Sequence, residues 1–79
     1  MVTPEQVQGF IEKGLQCSEV RVVGDGEHFE ALIVSGAFRG KNRVQRHQLV
    51  YAALGDRMRE EIHALSMRAL TPEEVAADG

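Results

Sequence analysis

The sequence has one cysteine, two prolines, one tyrosine, three phenylalanines and no tryptophan. A single thiol, Cys17, excludes an internal disulfide and the small disulfide-stapled secreted class, so a reducing, cytoplasmic setting is expected. No apolar run approaches the roughly 18 residues of a membrane-crossing helix, and no segment reads as a secretory or transit signal. Repeats, low-complexity tracts and linker-like segments are also missing. With aromatics at only 5% of 79 residues, a core must come from Val, Leu, Ile and Ala. Residues 1–79 are expected to form one domain of modest stability, with 76–79 frayed.

Catalytic signatures are absent as well. There is no Gly-x-Ser-x-Gly, no phosphate-binding glycine loop between a strand and a helix, and no Cys-His pair with a third orienting residue in register. Glu73 and Glu74 read as residues matched to a helix start rather than as an acid/base pair. The chain is therefore expected not to be an enzyme.

What is present is clear secondary-structure punctuation. Thr3-Pro4-Glu5-Gln6 combines an N-cap, a proline at the first helical position and a capping-box glutamine, ahead of Val7, Phe10, Ile11 and Leu15 on one face. Ser18 to Val23 is β-branched and partly alternating, and Gly24-Asp25-Gly26 reads as a tight turn between antiparallel strands. The run Phe29 to Val34 is almost wholly apolar, as in a central strand covered on both faces. Asn42, with Gln45 three residues on, caps a helix through Leu54, and Gly55 ends it. Asp56 can cap a further short turn from Arg57 to Ile62. His63 to Leu70 then alternates, with Leu65, Met67 and Ala69 on one side, and Thr71-Pro72-Glu73-Glu74 opens a short last helix through Val75. The order is α-β-β-α-β-α: a two-layer α+β domain with a three-stranded mixed sheet and helices on one face.

Two features bear on function. From Ala31 to Gly55 there are four basic residues, Arg39, Lys41, Arg43 and Arg46, and no acid, whereas the other residues carry five basic and twelve acidic side chains. This stretch, with His47, reads either as a solvated face that supports a helix start or as a surface for phosphate or an acidic partner. A net charge of −3 argues against general coating of nucleic acid. The second feature is the histidine set, His28, His47 and His63. No pair has zinc-finger or His-x-x-x-His spacing, and a lone histidine is more often structural than a ligand. Yet a crossover that makes the last two strands parallel would bring His28 and His63 to the same end of the sheet. Two ligands there are half a site, and the other half must come from another chain.

These residues resemble the BolA family across nearly the whole chain. The similarity is carried by Val23-Gly24-Asp25-Gly26-Glu27-His28-Phe29, Val34-Ser35, Phe38-Arg39-Gly40-Lys41, Arg46-His47-Gln48-Leu49-Val50-Tyr51, Ile62-His63-Ala64-Leu65-Ser66 and Leu70-Thr71-Pro72-Glu73-Glu74. The resemblance implies a fold like a type II K-homology domain without its Gly-x-x-Gly loop. It implies a partnership with a monothiol glutaredoxin of the CGFS class, with glutathione, and a shared [2Fe-2S] cluster in iron-sulfur trafficking or iron regulation. It also implies His63 as a metal ligand and His28, in a loop of variable length, as the second, with Cys17 the other candidate for that place. The alternative that the resemblance carries is a DNA-binding regulator using the basic residues between 39 and 50. Cys17 does not match the family's loop cysteine, and Val75 stands where an aromatic is common. The free chain is expected to be a monomer.

Overall fold

The computed structural model describes residues 2–25, 27–60 and 62–78. Six main elements follow the expected order: α1 Pro4–Gly14, β1 Glu19–Gly24, β2 Phe29–Val34, α2 Arg43–Leu54, β3 Leu65–Leu70 and α3 Pro72–Asp78. Both long helices start where their caps predict. The Thr3 hydroxyl accepts from the Gln6 N–H at 3.1 Å while Gln6 Oε1 accepts from the Thr3 N–H at 2.9 Å. Asn42 and Gln45 exchange the same pair of bonds at 2.9 Å each, so each helix start satisfies two otherwise orphaned donors.

The sheet order is β1-β2-β3, antiparallel between the first two strands and parallel between the last two. Val20 and Val22 of β1, Phe29, Ala31 and Ile33 of β2, and Leu65 of β3 turn inward against Val7 and Ile11 of α1 and Val50 and Leu54 of α2. That single layer of contacts is the core, as the period-2 and period-3.6 patterns dictate.

The hairpin loop spans 25–28, closed by the pair Gly24 and Phe29. Gly24 is needed for closeness rather than for a positive φ, since a Cβ there would lie 2.5 Å from the His28 carbonyl oxygen. Gly26, the third residue of the expected turn, lies outside the described residues. Gly55, at φ 59° and ψ −134°, does end α2 with a positive φ that favours glycine.

Three expectations need correction. β2 is central but not covered along both faces: on one of them Glu30 is exposed and Leu32 half-buried, and only Val34 at the far end is buried. β3 begins at Leu65, and His63 sits before it in a 3₁₀ turn, Ile62–Ala64. The turns expected after Gly55 are present, closed by Arg57 N–H to Leu54 C=O and Arg59 N–H to Asp56 C=O at 3.2 Å each, while Glu61 lies outside the described residues. Those turns deliver Met58, which is completely buried. Finally, α3 runs to Asp78 rather than ending at Val75, and Gly79 lies outside the described residues.

Candidate functional site

The parallel register sets Phe29 opposite Leu65. His28 is one residue before Phe29 and His63 two before Leu65, so both histidines stand at the same end of the sheet, and both are exposed. Each is positioned by its backbone. The Asp25 carboxylate accepts from the N–H groups of Glu27 and His28 at 2.9 Å, and the Asp25 N–H returns a bond to the His28 carbonyl at 3.2 Å. The bonds to the carboxylate, that from His28 first, hold the Asp25 carboxyl below its ordinary range. The 3₁₀ turn fixes the approach of His63. A shallow cleft of about 440 Å³ opens beside His28, walled by Val23, Asp25, Glu30 and Ser66.

The other sulfur or imidazole donors lie elsewhere. Cys17 precedes β1, whose start pairs with Val34, and Ser18 bonds the Val34 carbonyl through both its N–H and its hydroxyl. That is the opposite end of the sheet from His28, roughly 17 Å away along a six-residue strand. Cys17 is half-buried and its thiol is pushed up, chiefly by burial and then by Glu12. His47, on α2, packs edge-on to Tyr51 with ring centroids 6.5 Å apart. Partial burial and Arg43 lower its pKa, which disfavours its cationic form. Among the described residues no group of three or more His, Cys, Asp or Glu side chains gathers as a self-contained metal site.

The basic stretch divides into two parts. Arg39 grips Glu73 through Nε–Oε1 at 2.8 Å and Nη2–Oε2 at 2.6 Å, with both side chains more than half exposed. Arg46 is only 14% exposed in its side chain. It binds Glu74 at 2.7 and 3.2 Å, the Ala69 carbonyl at 3.0 Å and the Lys41 carbonyl at 2.8 Å, with its guanidinium 6.0 Å from the Phe38 ring centre. Two of the four cations thus clamp α3 instead of facing a partner. The exposed Arg39 pair contributes little, whereas the sheltered Arg46, with its four hydrogen bonds, is the stronger tie between α2 and the first turn of α3. Lys41 and Arg43 are exposed and have no ion-pair partner among the described residues.

Glu74 is also the capping-box residue of α3, accepting from the Thr71 N–H at 2.8 Å. Its carboxyl is held down from 4.5 to about 2, first by Arg46 and then by that N–H. A lowered folded pKa gives stability that is complete above the unfolded value and lost as pH falls through the folded one. Helix α3 should therefore loosen between about pH 4.5 and 2. Protection of the Val75 and Ala76 amides, taken relative to intrinsic exchange at each pH, should fall across that window, and protection that is flat there would remove Glu74 as the clamp.

Comparison with known proteins agrees with this architecture. The family model for BolA-like proteins matches residues 12–74. The acid stress protein IbaG of Escherichia coli K12 is 39% identical over 74 residues, covering 92% of this chain and 88% of that protein. The DNA-binding transcriptional regulator BolA of Haemophilus influenzae is 43% identical over 51 residues, covering 65% of this chain and 50% of that protein. A BolA homologue from Coxiella burnetii superposes with a TM-score of 0.79 at 47% identity, over 96% of this chain and 99% of that one. Sequence and fold together make this chain a member of the BolA family.

Proposed function

We propose that this chain is a non-enzymatic partner of a monothiol CGFS glutaredoxin, contributing ligands to a [2Fe-2S] cluster held between the two proteins in iron-sulfur trafficking or iron regulation. The observation that carries this reading is the pairing of exposed His28 and His63 at one end of the sheet. Imidazole replaces thiolate on iron in some [2Fe-2S] centres and raises their potential, and two imidazoles make half of a four-ligand set. The donor chemistry of this end therefore fits a cluster whose thiolates come from the glutaredoxin and its glutathione. The chain's own work is positional: the Asp25 carboxylate fixes the His28 backbone, and the turn before β3 sets His63 at the same end of the sheet.

Anaerobic mixing with a glutathione-loaded monothiol glutaredoxin, followed by size exclusion with visible absorption and CD, tests this directly. A heterocomplex carrying cluster absorption and a CD spectrum unlike that of the glutaredoxin alone is expected. Separate elution of the two proteins, with the cluster remaining on glutaredoxin, would sink the proposal.

A second reading, a small DNA-binding regulator, draws on the name of the H. influenzae relative and on Lys41 and Arg43, which are exposed beside α2. It predicts affinity that falls steeply with salt, and a salt slope that drops by about one for each phosphate-binding cation neutralised at Lys41 or Arg43. Absence of binding at about physiological salt would retire it.

A further inference from the structure

Strand β3 is an edge strand, and its outer side is not closed. The Leu70 carbonyl faces β2, where it accepts from the Ser35 N–H at 3.0 Å, while the Ala69 carbonyl faces outward to Arg46. Strand alternation then turns the N–H and C=O of Met67 and the N–H of Ala69 outward as well. Among the described residues none of these three groups has a hydrogen-bond partner. Beside them runs a groove of about 480 Å³ between β3 and the first turns of α2, with Met67, Ala69 and Leu70 on one wall and Lys41, Arg43 and His47 on the other. Its one carboxylate, Glu74, is already neutralised by Arg46, which leaves the groove positive on a chain that is negative overall.

We propose that this groove binds an extended acidic peptide segment of a partner protein, which adds to the sheet as a short strand along β3. Backbone pairing would use the open groups of Met67 and Ala69, the usual chemistry of strand addition. Alternate side chains of the added strand would face α2, and acidic ones there meet Lys41 and Arg43; between them, small apolar side chains meet the Met67 wall. Arg46, crossing to the Ala69 carbonyl, closes one end of the track and limits the paired segment to about three or four residues. Nucleic acid suits the groove less well. No Phe, Tyr or Trp lines it for base stacking, and outward amides of a strand match a peptide backbone better than a phosphate chain.

The probe is an acetylated and amidated peptide of alternating glutamate and valine, titrated into the ¹⁵N-labelled chain. The Met67 and Ala69 amides should show the largest shifts and slowed exchange. Binding should weaken with salt and with Lys41→Ser plus Arg43→Ser, both exposed sites where folding is not at stake. N-methylation of the peptide at the pairing positions should cost on the order of tenfold in affinity, as the removal of two backbone bonds would. Shifts confined to Lys41 and Arg43, with Met67 and Ala69 exchanging as before, would overturn the proposal. So would failure of the peptide together with perturbation of the same residues by an oligonucleotide of equal charge.

Discussion

Gly14→Ala should lower the melting temperature by roughly 5–15 °C, although alanine is the better helix former. A Cβ at position 14 would lie 2.7 Å from Ala53 Cα and 2.8 Å from its carbonyl oxygen. Both are backbone of α2, so the contact cannot be relieved by turning a side chain and the two helices must part. Overpacking of this kind costs about 1–3 kcal/mol, more than the propensity gain of at most about 1 kcal/mol. Gly9, in the same helix, is the internal control, because nothing lies within 4 Å of a Cβ there. Gly9→Ala should stabilise by up to about 1 kcal/mol. Thermal denaturation of both variants reads the contrast, and equal shifts in the two would refute close helix packing as the reason for Gly14.

Local chemistry is the legible part of this fold. The caps at Thr3 and Asn42, the β2 span and the stop at Gly55 depend on side chains within a few residues of the backbone they serve. The placement of His28 and His63 at one end of the sheet is readable one level up, because a helical crossover returns the chain for a strand parallel to the one before it. Interactions across the fold are not readable. Arg39 with Glu73 and Arg46 with Glu74 are separated by 34 and 28 residues in sequence. Nothing local distinguishes these arginines from Lys41 and Arg43, which stay exposed. Met58 escapes a sequence reading because the turns from 55 to 60 have no period to mark a buried position. The open face of the sheet escapes it for a related reason: an apolar run such as Ala31-Leu32-Ile33-Val34 reads the same whether one side of it is covered or both.

The second large effect concerns the cluster that we propose is shared with a glutaredoxin. His63→Ala should leave the far-UV CD and the melting temperature unchanged, since the side chain is exposed and β3 begins two residues later. It should nevertheless reduce the cluster held by the glutaredoxin heterocomplex by about tenfold or more, because losing even an outer-shell partner of a metal ligand commonly costs that much. His28→Ala should act in the same direction. Cys17, at the other end of the sheet, cannot substitute for it, so Cys17→Ser should leave the cluster as it was. A His63→Ala heterocomplex with parental visible CD and cluster content would remove this residue from the ligand set.

The central claim is that the imidazoles of this chain bind the iron, and isotope substitution with pulsed EPR reads it without mutation. The chain is labelled with ¹⁵N only at histidine, assembled with unlabelled glutaredoxin and glutathione, and the cluster is reduced. The hyperfine pattern of directly bonded nitrogen should change from ¹⁴N to ¹⁵N character. A pattern with no strongly coupled nitrogen, or one unaffected by labelling this chain, would contradict the account.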